Sequence, residues 1–262
     1  MRTSIAAKIL FASFIALALF LMVLPTLIVF PMSVGTSNYL EFPPKGFTLD
    51  WFVAYFGDEE WMGATWFSLK VACATTLAAT AIGTMASIAL VRGRLPGKSL
   101  IYALTLSPMI IPHIVIAVAL YLFFAPLRLT GNFYGFLIAH TLLAVPFVVL
   151  TVSAALQRFD PMLELAAQSC GANSIQTFYH VMLPGIVPGV AAGAVFAFLT
   201  SFDEATVAFF ISGLEGKTIT RKMFEDIDFN LTPIIAAVST VIVGASLLLM
   251  TAVHFLQNRQ RG

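Results

Sequence analysis

The sequence predicts an all-α fold: a polytopic membrane protein of six transmembrane helices, with a polar segment between the fourth and fifth. Three observations carry that reading. Hydrophobic residues make up 59% of the chain and charged residues 10%, where soluble domains carry roughly 25% charged residues, and the mean hydropathy is +0.93. The apolar residues come in long runs, and crossing a hydrocarbon core of ~30 Å takes about 20 helical residues at ~1.5 Å each. The runs lack the short polar/apolar alternation of barrel strands, which favours helices over a barrel.

With soft edges, the spans are Ile9 to Pro31, Ala64 to Val91, Leu100 to Phe124, Tyr134 to Leu156, Gly185 to Phe210 and Pro233 to Phe255. Together they form one transmembrane domain over residues 1–262. The first run greatly exceeds the ~7 to 15 apolar residues of a signal peptide and has no convincing cleavage site after it, so it is expected as a retained helix. The stretch "NYLEFPPKGFTLDWFVAYFGDEEW" that follows turns at Pro43-Pro44 and Gly46. Its aromatic residues suit the headgroup level. It reads as an interfacial loop, and as an external docking surface only on its acidic, aromatic character.

Within the second span Lys70 either snorkels outward, the favoured reading, or pairs with an acid. Cys73 and Cys170 are expected as small buried or semi-buried thiols, not as a disulfide. Pro108 and Pro112 in span three, Pro146 in span four, and Pro184 and Pro188 in span five remove helix hydrogen bonds and allow kinks. Tyr102, Tyr121, Phe123, Phe124 and Phe147 read as packing residues before they read as a cation-π path. His113, His140, His180 and His254 match no metal spacing, and no phosphate-cradling G-x-x-x-x-G-K-[ST] occurs. No catalytic, cofactor-binding or metal-ligating residue is therefore expected, and no nucleic-acid partner.

Orientation follows from the basic residues. With the N-terminus in the cytoplasm, the inside receives Arg2, Lys8, Arg92, Arg94, Lys98, Arg158, Arg259 and Arg261 against Asp160 and Glu164. The outside receives Lys45, Arg128, Lys217, Arg221 and Lys222 with most of the acids: Glu41, Asp50, Asp58, Glu59, Glu60, Glu215, Glu225, Asp226 and Asp228. This is the positive-inside pattern, and it places both termini and the polar segment, about residues 157–184, in the cytoplasm.

That segment has the marks of a helical hairpin. Asp160 can cap free N–H groups, Pro161 suits the first helical position and Glu164 lies where the dipole favours an anion. Gly171 can end the helix in a left-handed conformation. Asn173 or Ser174 can cap a second helix, with Gln176 completing a capping box with Asn173. Ile175, Phe178, Tyr179 and Met182 fall at i, i+3, i+4 and i+7, as one apolar stripe. Ala166 and Ala167 offer a close-approach face, and the whole makes a knob suited to a groove on a partner.

The spacing of Ala166-Ala167, Gly171, Val181 and Leu183-Pro184 resembles the EAA loop of ABC-importer permeases: EAA, three residues, Gly, nine residues, Ile, one residue, Leu-Pro. Leu165 stands where that pattern has Glu, with Glu164 just before it, and Val181 replaces Ile. The resemblance extends through "AVPFVVLTVSAALQRFDPMLELAA", "AFLTSFDEATVAFFISG" and "LTPIIAAVST", which look like the spermidine/putrescine-type permeases. It implies a type I ABC importer permease in the bacterial inner membrane. Its implied partners are a cytoplasmic ATPase dimer that carries the ATP and Mg, a second permease subunit and a periplasmic binding protein. The coupling residues it implies are Glu164, Leu165, Ala166, Ala167, Gly171, Val181, Leu183 and Pro184.

Cargo is read from fewer residues. The rise from Pro184 at ~1.5 Å per residue puts Asp203 and Glu204 near the outer end of span five. Carboxylates so placed face a cavity, a partner or water, and an attractive gate for a cation is one use of them. The resemblance implies a polyamine, with an opine, a modified amino acid or an aminophosphonate as alternatives. A gradient-driven secondary transporter is a further class, but it would show internal repeats and midplane charges that are not evident in this chain.

Overall fold

The computed structural model describes residues 5–213, 216–229 and 231–259, and among them the regular structure is entirely helical. Arg2, Glu215 and Arg261, which enter the charge map, lie outside the described residues. Four stretches are long and apolar enough to cross a bilayer: Lys8–Met32 in α1 (Ile5–Met32), α3 (Glu59–Arg92), α6 (Phe133–Arg158) and Ser174–Phe202. The last is a composite of α8 (Ser174–Thr177), a π-helical turn (Phe178–Met182) and α9 (Leu183–Phe202). Where the sequence places the sixth span stands α12 (Ile234–Arg259).

Two expected spans are interrupted. The stretch Leu100 to Phe124 is not one rod: α4 (Lys98–Leu106) runs into a 3₁₀ turn (Ser107–Met109), and α5 (His113–Phe124) leaves it at 97°. Pro108 and Pro112 donate no backbone hydrogen bond, and a proline pushes the residue before it away from the helical region. Pro112 itself is extended, at φ −54° and ψ 130°. Span five, expected to reach Phe210, stops as a helix at Phe202, and Asp203–Ala205 separate it from α10 (Thr206–Ile211). Pro146 and Pro188, in contrast, lie inside helices that continue through them.

The chain divides into two compact units. In the first, residues up to Met62 with Met223–Ala245, the loop after α1 is folded. Trp51 donates its indole N–H to the Gly35 carbonyl at 2.8 Å, and Thr36 N–H reaches the Lys45 carbonyl at 2.9 Å. Tyr55, in α2 (Asp50–Gly57), is buried edge-on against Trp61.

The second unit, Gly63–Lys222 with the residues from Ser246 on, is built around α6. One core cluster joins Phe136, Ala139 and Leu143 of α6 to Val71, Ile116, Phe124, Val207 and Ile211. The other joins Ala144, Val148, Val152 and Leu156 to Ala79, Met182, Ile186 and Ala197. Lipid tails are as apolar as leucine, so helices in a bilayer are held by close packing, not by escape from water. Glycines supply it: a Cβ at Gly189 would come within 2.5 Å of the Ala155 Cβ, and one at Gly83 would overlap Val148. Cys73 and Cys170 are both exposed. Their expected burial is not observed: Cys73 holds an exposed position on α3, and Cys170 lies just past the end of α7 (Pro161–Ser169).

Candidate coupling hairpin and polar helix breaks

The hairpin forms by the local signals its sequence carries. Asp160 accepts the Met162 N–H at 2.9 Å and caps α7 (Pro161–Ser169), with Pro161 at its start. Gly171 follows at φ +91°, a left-handed conformation that only glycine adopts without steric cost. Asn173 then caps α8 through a reciprocal box, its side chain accepting Gln176 N–H and the Gln176 side chain accepting Asn173 N–H, both at 2.9 Å. With both helix starts satisfied, the hairpin is stiff.

The expected apolar stripe is split. Ile175 and Tyr179 are 70% and 60% exposed, whereas Met182 is buried and Phe178 packs against the second core cluster. The cause is the π turn, which inserts an extra residue and shifts the phase between hairpin and span. Val181 lies in this turn, and Leu183 and Pro184 open α9. These three belong to the root of span five, with Leu183 packed on the core. On α7, Met162, Leu165 and Ala166 are exposed on one face, and Ala167 is half-buried.

Glu164 looks the other way. Arg92, the last residue of α3, donates Nε to its Oε1 at 3.0 Å and Nη2 to the Phe159 carbonyl at 3.1 Å. Leu165, at the position of the pattern's acid, is the exposed one of the two. The link between Arg92 and Glu164 spans 72 positions of sequence and has no local signature.

The second polar site lies where the interrupted helices meet. Glu204 is buried, accepts the Val207 N–H at 2.9 Å as a cap on α10, and lies 3.1 Å from His113 Nδ1 at the start of α5. The Thr220 hydroxyl, in α11 (Ile219–Phe229), donates to the Glu204 carbonyl at 3.0 Å, and the Ile219 N–H donates to the Ser68 hydroxyl at 2.7 Å. One turn before the break, Ser201 pairs with His140 Nδ1 at 2.9 Å. Asp203 is exposed, so the two acids are not an equivalent pair. His113, read from sequence as a scattered packing histidine, has a side chain 47% exposed beside that buried carboxylate. Its position directly after Pro112, at a helix start, is the signal that could have marked it. Lys70 is exposed on α3, with no ion pair among the described residues.

Comparison with known proteins agrees with this architecture. The family model described as "Binding-protein-dependent transport system inner membrane component" matches residues 79–262. The spermidine/putrescine transport system permease protein PotC of Escherichia coli (strain K12) is 30% identical over 208 residues, 79% of this chain and 79% of its own. The putrescine transport system permease protein PotI of the same strain is 30% identical over 207 residues, 76% of this chain and 74% of its own. Among solved structures, a bacterial ABC transporter involved in the import of the acidic polysaccharide alginate superposes at a TM-score of 0.74 and 15% identity. That match covers 98% of this chain and 99% of the other. Six hydrophobic runs, a capped hairpin rooted in the fifth and these matches have one reading: the chain belongs to the binding-protein-dependent transport system inner membrane components, as a permease subunit of an ABC importer and not a catalyst.

Proposed function

We propose that this permease forms half of the translocation path for a small cationic solute, a polyamine of the spermidine/putrescine class, delivered by a periplasmic binding protein. The other half is a second permease subunit, and the work comes from a cytoplasmic ATPase dimer that binds the ATP and Mg. The observation that carries the coupling role is the hairpin itself. It is capped at both helix starts, exposes Met162, Leu165, Ala166, Ile175 and Tyr179, and runs without a break into span five. Exposed apolar side chains on a stiff knob suit insertion into a protein groove. Both termini and the hairpin are cytoplasmic in this reading, in accord with the basic residues.

The mechanism follows from stiffness. When ATP draws the nucleotide-binding subunits together, each docked hairpin moves as a body. The π turn and α9 carry the displacement along Ser174–Phe202 to the break at Asp203–Ala205. Glu204 and His113 join that break to the one before α5, so a shift of span five reaches span three at the same point. Asp203 supplies an exposed carboxylate there for a cationic amine, and Glu204 lies buried behind the partly exposed His113 imidazole. Similarity to polyamine permeases supports this cargo over a neutral solute.

The deciding experiment is affinity purification of the chain in nanodiscs from its native membrane, followed by ATPase assays with the loaded binding protein. Recovery of an ATPase and a second permease, with turnover stimulated by spermidine or putrescine and not by a neutral diol of similar length, is the expected result. Recovery of the chain alone would remove the coupling reading. Stimulation by a different cargo would remove the polyamine reading only.

A further inference from the structure

We infer that Arg92 is a positioning residue that yokes the second span to the coupling hairpin, and that without it ATP hydrolysis runs uncoupled from transport. This rests on the importer reading and adds to it a second route by which force leaves the hairpin.

Three features point to it. First, the guanidinium engages two elements at once: Glu164 on α7 and the carbonyl of Phe159 at the end of α6, at 3.0 and 3.1 Å. The planar fork of arginine makes such double contacts, and lysine, a single point donor, does not reproduce them. Both charged groups are largely shielded, at 23% and 16% side-chain exposure, where an ion pair is screened less than at the surface.

Second, the hairpin is not packed flush against span two. An open groove of about 540 Å³ runs between them, walled by Met85, Ile88 and Ala89 of α3 on one side and by Gln168, Phe178 and Met182 on the other. Glu164 stands on its wall. Beside this groove the guanidinium is a polar tie between α3 and α7, and the hairpin can tilt toward the groove if it is cut.

Third, the tie converges on the root of span five. The ring of Phe159, whose carbonyl Arg92 holds, lies against Gly185 so closely that a Cβ there would overlap it. Arg92 therefore connects the ends of α3 and α6, the first turn of α7 and the base of α9. Turning Glu164 inward also leaves the docking face of α7 uncharged, with Met162 and Leu165 exposed on it.

The test uses the assembled importer, with its ATPase, second permease and binding protein, in proteoliposomes. Readouts are solute transported per ATP hydrolysed and the ATPase retained on purification. Arg92→Glu is expected to keep the ATPase bound and hydrolysing while transport per ATP falls about tenfold, and Glu164→Arg to lower that ratio as far. The double exchange Arg92→Glu/Glu164→Arg should regain at least a third of the wild-type ratio, and Arg92→Lys should fall between. A merely structural role would lower hydrolysis and transport together and leave their ratio unchanged; that result overturns the inference. So does a double exchange no better than the single variants. Absence of an ATPase from the unsubstituted complex overturns the importer reading itself, and it is seen before any variant is made.

Discussion

His113 and Glu204 join two broken helices: Nδ1 of the first lies 3.1 Å from Oε2 of the second, across 91 positions of sequence. Each break supplies the other with a polar partner. The Glu204 carboxylate also caps α10 through Val207.

Substitutions here separate folding from transport. Glu204→Gln keeps an oxygen for the Val207 N–H but loses the charge. Losing the charge weakens both the contact with His113 and the attraction for a cation, so uptake of a cationic solute is expected to fall roughly tenfold, with a smaller drop in melting temperature than Glu204→Ala gives. Glu204→Ala also loses the cap, ~1 kcal/mol, and should lower the melting temperature in detergent. Asp203→Asn, at an exposed position, should leave stability alone and reduce uptake less than Glu204→Gln does. Initial-rate uptake with thermal melts of the same preparations reads all three.

Gly189→Val probes the seam between α6 and α9. The new side chain would press on Ala155 and on the Thr151 carbonyl, and overpacking of this kind costs roughly 1 to 3 kcal/mol. A lowered melting temperature, followed by size-exclusion fluorescence, is expected, with a smaller drop for Gly189→Ala. An unchanged melt for Gly189→Val would mean that the seam is looser than described.

Asn173→Ala removes the capping box of α8 and should weaken the hairpin by ~1 kcal/mol. The effect is local, so amide exchange should quicken over residues 171–177 while α6 stays protected. Equal exchange in both proteins would show that the π turn alone holds α8.

At Gly171, any Cβ meets backbone strain at φ +91° even though the space around it is open. Gly171→Val is expected to reduce ATPase retention on purification and to leave membrane insertion intact, as membrane fractions and pull-downs will show. Full retention would mean that the docking surface does not depend on the angle between α7 and α8.

A reporter fused after Gly262 should be active only as a cytoplasmic fusion. A periplasmic signal would invert the charge map and put the hairpin on the wrong side for an ATPase.

Local chemistry was the legible part. Asp160, Pro161, Gly171, Asn173 and Gln176 each act within a few residues of themselves, and both hairpin helices begin, and the first ends, where those residues place them. The third span misled because its hydropathy stays high through Ile110 and Ile111. Composition does not change where Pro112 turns the chain, so the two prolines suggest a kink but not a bend of 97°. The apolar stripe on the second hairpin helix presumes a uniform helical period, which the π turn at Phe178–Met182 does not keep. Arg92 with Glu164, and His113 with Glu204, are products of tertiary packing. No spacing rule joins residues so far apart, and only the fold brings them together.

The π turn also fixes a setting of the machine. A single residue corresponds to about 100° of rotation about a helix axis, so this wide turn acts as an indexing collar between the docking knob and the shaft of span five. Tightening Phe178–Met182 to an ordinary helix with no residue removed would swing Ile175 by about that angle, presenting the ATPase with the wrong side of the same knob, whereas deleting one residue there as well would leave it in place.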